Sequence, residues 1–338
     1  MTKKKSAILV LSILLCSFVL LSAGCTKQAD KAPQTVRPIT VKIGASSTAF
    51  GIQWYVAKEQ GFFKKYGIEP EIVTYAYGID TINAALNGQV DIGEANDFPV
   101  LSRLSNGDLK IVSFILTGKA ANNKFVTRDR IISNSELKGK KVGVPRGTVT
   151  EYIFKRYLTA HNIQENEVIK VNLTSQAEIQ AAFERGDIQA AFFSGLWLEK
   201  ALKVPGSTII GSAADIPFEG RGFAVVREQF YKQNPDAVRR VLLALDEASQ
   251  WISQNPEGAG EVGYKAVKLP KEGLSKEVKD NSYDIRLSQE DVKQLADVYE
   301  WSVQNNLIKG GFDLKDKILT EPLKLALPDK LTYDPAKL

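Results

Sequence analysis

Short apolar runs alternate with amphipathic stretches of about ten residues over the first two thirds of the chain. Val41–Gly44 reads as a strand, followed by a loop of small residues (Ala45–Gly51) and a helix over Ile52–Gln60. Gly61–Gly67 closes that helix and leads into a strand at Glu71–Tyr75. Thr81–Leu86 predicts a helix and Val90–Gly93 a strand. A further helix begins at Asn96–Pro99, with Asp97 as its N-cap, and Ile111–Leu116 and Phe125–Thr127 are strands. Strands that alternate with helices in this way define a parallel α/β architecture. From Pro235 onward the pattern turns helical, over Pro235–Ser253, Pro256–Ala266 and Gln289–Asn305. In the last of these, Val292, Leu295, Val298, Tyr299 and Val303 recur at helical spacing.

Leu137–Leu158 combines the two patterns most clearly. Lys141–Val144 is a strand, Pro145–Gly147 a turn, and Thr148 opens a helix as its N-cap, with Glu151 completing a capping box. A strand entering a helix through a glycine turn presents free N–H groups and the positive end of a dipole, which suits an anion or polar head group. Capping alone would also account for Thr148 and Glu151. The chain repeats itself as well: Ile82–Leu101 echoes Ile179–Leu198, and Ile43-Gly44 echoes Val142-Gly143. Two α/β lobes facing a cleft are therefore expected. Lobe I is 39–131 plus 219–338, and lobe II is 132–218, with Arg128–Ser135 as the outward crossing. The later helices are expected to pack on lobe I. Ligands of open α/β sheets bind at the carboxyl ends of the strands.

The first residues change the picture by giving an address. Lys3, Lys4 and Lys5 precede an uncharged, mostly apolar run, Ser6–Ala23, which ends in Leu21-Ser22-Ala23-Gly24-Cys25. Residues 1–24 read as a signal peptide and 25–38 as a flexible tether with two prolines. The formal charge is +5, but without the three leader lysines it falls to about +2, which gives no argument for nucleic-acid binding. The cysteines are Cys16 and Cys25, so the mature fold has no disulfide. His161 is the only histidine. A Ser-His-Asp triad and a His/Cys metal site are therefore not expected, and no phosphate-binding P-loop or calcium-loop spacing occurs. No cofactor is expected, and the reading is not that of an enzyme.

The ending before Cys25 resembles the lipobox of bacterial lipoproteins, with Ser22 in place of the usual large aliphatic residue. Ala57–Val73 (AKEQGFFKKYGIEPEIV), Ala84–Gly93, Leu137–Thr148 and Trp301–Asp316 together resemble solute-binding proteins of ABC importers. Within that class they are similar to the branch for sulfonates, taurine, nitrate and thiamine precursors. The resemblance implies a two-lobed periplasmic-binding-protein fold, type II-like, that closes around a small ligand. It also implies a lipid anchor at Cys25, a permease and its ATPase as partners, and a monomer. Pyrimidine synthases of thiamine biosynthesis share the fold but rely on a histidine- and cysteine-rich site that this chain lacks.

Carried onto this sequence, the family's cleft loops comprise Ser46, Ser47, Thr48 and Gln53, then Asn96, Asp97, Phe98 and Thr117. Gly147, Thr148 and Glu151 follow, then Ser194, Gly195 and Trp197, and finally Arg221 with Gly222. Ser46–Thr48 could equally be plain loop, Asp97 a cap, Trp197 core and Arg221 surface. Helix N-termini and an Arg221 guanidinium favour an anion such as an alkanesulfonate, taurine or nitrate. Asp97 and Glu151 would favour an added amine or ring N–H. Phe50, Phe98 and Trp197 leave room for an aromatic body, as in a thiamine-precursor pyrimidine, riboflavin or an aromatic carboxylate. A sensor subunit with the same fold is the second functional reading, and a carboxylate-based enzyme the third and weakest.

Overall fold

A computed structural model describes residues 37–338. The expected leader, most of the tether and Cys25 lie outside the described residues. The remainder is built on two sheets whose inner strands are buried on both faces, as the apolar runs require. The first sheet holds β1 (Ile39–Ser46), β2 (Ile68–Tyr75), β3 (Ile92–Asn96), β4 (Leu109–Gly118), β10 (Gly220–Arg227) and β11 (Asn281–Arg286). Their order is β11-β4-β10-β3-β1-β2. The second holds β5 (Lys124–Thr127), β6 (Lys141–Pro145), β7 (Ile169–Leu173), β8 (Ala190–Phe193) and β9 (Thr208–Ser212), in the order β7-β6-β8-β5-β9.

Helices cover these sheets. With the first come α1 (Ile52–Glu59), α2 (Phe62–Lys65), α3 (Gly78–Leu86) and α4 (Asp97–Leu104). With the second come α5 (Val149–Ala160), α6 (Gln176–Arg185) and α7 (Gly195–Ala201). The later part of the chain forms α8 (Glu228–Gln233), α9 (Pro235–Gln254), α10 (Pro256–Val267), α11 (Lys271–Asp280), α12 (Gln289–Gln304) and α13 (Glu321–Ala326). As expected, α9 packs on α1 and β11, α10 on α1, and α12 on α4. Prolines open α9 and α10, where a missing N–H costs nothing.

The internal echo has a structural basis. Each sheet contains a parallel trio, β2-β1-β3 or β7-β6-β8, and each receives one antiparallel strand from the other part of the chain. Thus β10 lies antiparallel between β3 and β4, and β5 antiparallel between β8 and β9.

This exchange corrects one expectation. The sequence places Phe125–Thr127 in the first lobe with the crossing at Arg128–Ser135, yet β5 pairs with β8 and β9 of the second sheet, so the chain crosses at 119–123. The cause is packing that a short apolar run cannot reveal. Val126 joins the core of Phe183 and Phe193, and Phe125 stacks on Phe192 at 4.6 Å with Tyr157 edge-on at 5.0 Å. The chain returns to the first sheet between β9 and β10. Among the elements not expected are α11, which is mostly polar and buries only Leu274, Ser275 and Val278, and β11, a short edge strand.

Because Phe125 is fully buried between two aromatic rings, Phe125→Ala is expected to cost about 3–5 kcal/mol. Chemical denaturation would show this as a lowered midpoint. A loss below about 1 kcal/mol would be the behaviour of a strand outside the second core.

Candidate functional site

The carboxyl ends of β1 and β3 and the starts of α5 and α7 face one cavity of about 330 Å³, within the range of small-molecule sites. Its walls come from both sheets. Ser46 ends β1, Ser47 and Thr48 follow it, and Thr48 caps the next turn by accepting from the Phe50 N–H at 3.2 Å. Asn96 ends β3. Thr148 caps α5 by accepting from the Thr150 N–H at 3.2 Å, and it lines the cavity with Ser194, Gly195 and Trp197. Phe50, Tyr77, Trp197 and Phe218 give the space aromatic walls.

Eight of the residues singled out in the sequence do not line this cavity, Arg221 and Gly222 among them. Gln53 is fully buried, and its side-chain amide donates to Ser249 Oγ at 2.7 Å, tying α1 to α9. Phe98 is core, stacked on Tyr152 at 5.7 Å. Thr117 lies within β4, between Arg221 of β10 and Ser282 of β11. Asp97 is buried as well; its carboxylate accepts from the Phe98 N–H at 2.7 Å, and burial pushes it up to about 7 against the pull of that bond and of Arg221. Gly147 and Glu151 satisfy one another: the Gly147 N–H donates to Glu151 at 2.6 Å, and the other Glu151 oxygen meets Lys170 at 2.9 Å. The capping box forms here one residue early, on the turn glycine and not on Thr148.

Arg221 differs most from its expectation. It is 5% exposed and turned towards α12. It pairs with Asp291, with Glu290 at 2.9 Å and with Gln294 at 2.7 Å, and Glu219 lies at 3.6 Å. Asp291 is fully buried, caps α12 through Ser288, and also holds Arg286 at 3.0 Å. These bonds hold its carboxyl below the usual range although burial acts in the opposite direction. The flanking glycines suggested open access; the guanidinium instead pins a helix to a strand.

The cavity also contains groups the sequence reading missed. Glu94, on β3, is 1% exposed and accepts from the Ser46 N–H at 2.8 Å. Burial raises it to about 7. Period-two alternation could have found it, because Glu94 shares a strand face with Asn96. Glu277, on α11, reaches across to the start of α7, where it accepts from the Leu196 N–H; burial carries it to about 7, with that bond opposing and Asp280 assisting. It lies against Gly195 (φ +50°), where an added Cβ would stand 1.6 Å from its Oε1. No signal pointed to Glu277, because α11 itself was not expected. Tyr77 Oη, Asn96 Nδ2 and Gln176 Oε1 are buried beside the cavity without a partner among the described residues.

Known proteins match this chain along most of its length. The family model described as "NMT1/THI5 like" matches residues 51–259. A Brucella abortus protein named as a binding protein is 28% identical over 260 residues, 74% of this chain and 76% of its own. A Bacillus subtilis protein named for binding aliphatic sulfonates is 24% identical over 326 residues, 94% and 96% of the two chains. Among solved structures, the periplasmic aliphatic sulphonate binding protein SsuA from Escherichia coli superposes with a TM-score of 0.71. It is 20% identical, with 84% of this chain and 92% of that one covered. The architecture is thus the two-lobed fold of periplasmic binding proteins.

Removing the guanidinium in Arg221→Met is expected to destabilise the fold by about 2–4 kcal/mol, since buried Asp291 loses one of its two cations. Affinity for any cavity ligand should change less than twofold. Calorimetry of the variant that showed lost binding with unchanged stability would restore the anion-binding role.

Proposed function

Since the chain belongs to the NMT1/THI5-like family, we propose that it is the extracytoplasmic solute receptor of an ABC importer. The observation that carries this reading is the cavity itself. It is walled by both lobes, floored by polar loops at strand ends, sided by aromatic rings, and edged by unpartnered buried polar atoms. A solute held there would touch both sheets at once, so binding would favour the closed arrangement over any open one. Delivery to a permease and its ATPase follows from that role. In this reading Cys25 carries the lipid anchor that keeps a monomeric receptor beside its permease. Two of the relatives are named for binding sulfonates, and the volume exceeds what nitrate alone would fill, so the solute is taken to be a small organic molecule of sulfonate-like size.

The same reading makes the protein a receptor and not a catalyst, so the solute should leave unchanged. Ser46, Ser47, Thr48, Asn96, Thr148, Ser194 and Trp197 are its proposed polar and aromatic contacts.

Trp197 supplies the largest ring in the wall, and Trp197→Ala should weaken binding at least tenfold while leaving the melting temperature of the free protein within about 2 °C. Thermal shift and calorimetry over a panel of sulfonates, aromatic carboxylates and pyrimidines would measure this. A panel member that binds equally well to wild type and Trp197→Ala would place the site elsewhere, and chemical turnover of the member would make the protein an enzyme.

A further inference from the structure

Three places in this molecule suit an anion by their local chemistry, and in each the protein's own carboxylate is already present. Arg221 is held by Asp291 and Glu290. The turn before α5 is closed by Glu151 on the Gly147 N–H. The start of α7 is occupied by Glu277, seated against Gly195. At the rim, Lys119 lies 3.7 Å from Asp280 and Lys276 lies 3.4 Å from Glu199. Lys124 is the one cavity-lining lysine without an acidic partner within 4 Å among the described residues.

The deep end has the opposite character. Glu94 forms no ion pair among the described residues, and its protein partners are the N–H and hydroxyl of Ser46. A buried carboxyl has more lone pairs than these contacts use, and leaving them unmatched is costly. Asn96 Nδ2, a donor, and Tyr77 Oη have no partner among the described residues and line the same space, where they would meet an acceptor on the same solute.

On the basis of the receptor reading above, we propose that the solute carries a hydrogen-bond-donating nitrogen, as an amine or an amino-heterocycle, and that Glu94 is the residue that selects it. A plain alkanesulfonate leaves Glu94 unmatched at the deep end. An aminosulfonate or an aminopyrimidine does not, and an acidic group on the same solute would meet Lys124 at the rim. The phenols of Tyr55 and Tyr283 feel the Glu94 charge and that of Tyr77 shares its cavity wall; burial keeps all three neutral, so none of them is a cation that competes for Glu94. Glu94 is held near 7 by burial. A bound ammonium would draw it into the ionised form, so binding of an amine should weaken as pH falls below about 7.

The test is calorimetry on matched pairs that differ in the nitrogen: taurine against ethanesulfonate, and 2-aminopyrimidine against pyrimidine. The nitrogen-bearing member of at least one pair is expected to bind ten times more tightly at pH 8. That preference should shrink at pH 5.5 and vanish in Glu94→Gln, whose neutral amide replaces the carboxyl at equal size and keeps the protein folded. Equal affinity within every pair that binds, unaltered by Glu94→Gln, would overturn the inference and leave the receptor reading intact. Mass spectrometry of the small molecule released on denaturing protein purified from its own cells separates the two failures. A released molecule without an N–H group overturns the inference alone; no released molecule and no binding by either pair overturns the receptor reading with it.

Discussion

The pairing of β4 with β10 is the constraint on which the rest of this molecule depends. Gly118 of β4 lies opposite Gly220 of β10, and Asn281 of β11 pairs with the same Gly118. The chain leaves the first sheet just beyond Gly118 and returns just before Gly220. Both crossings are thereby held side by side at one corner of the first sheet. A cavity between the sheets must open beside them, and Gly118, Gly220 and Asn281 all line it. Helix α11 then reaches from β11 across to α7, and Tyr152 of α5 stacks on Phe98 of α4 and meets Trp301 of α12 edge-on. The two lobes are held together by aromatic and carboxylate contacts on either side of the space they enclose.

Carboxylates do much of this joining, and their environments divide them into two kinds. Asp291 and Glu151 have cations and N–H groups to match them, and they act as structure. Glu94 and Glu277 are buried with few partners, and both rise to about 7 for that reason. The contrast is one of desolvation without compensation, the condition under which a carboxyl becomes responsive to what arrives beside it. The second kind faces the cavity, which gives its deep end an appetite for hydrogen-bond donors.

Much of the architecture was legible because periodicity reports local structure well. β1, α1, α5, α9 and α12 lie within a few residues of their expected spans, and the echo of Ile82–Leu101 in Ile179–Leu198 corresponds to helix–strand–helix units α3–β3–α4 and α6–β8–α7. Assigning β5 to a sheet required knowing its partners, and nothing in a four-residue apolar run specifies those. The site was legible in its loops and not in its charges. Ser46–Thr48, Thr148 and Trp197 reach the cavity because strand ends and helix starts do so in this architecture. Arg221 does not, because its destination is set by Asp291, seventy residues later in the chain. Glu277 was beyond reach for the same reason: a long-range contact, on a helix too polar to announce a buried face.

The most direct test is a crystal structure of the protein grown with the solute it carries from its own cells. The expected result places that solute between Phe50 and Trp197, in contact with both sheets, with a nitrogen within about 3.2 Å of the Glu94 carboxyl. A solute bound outside the space between the sheets, or one that presents an anionic group to Arg221 after displacing Asp291, would contradict the account at its centre.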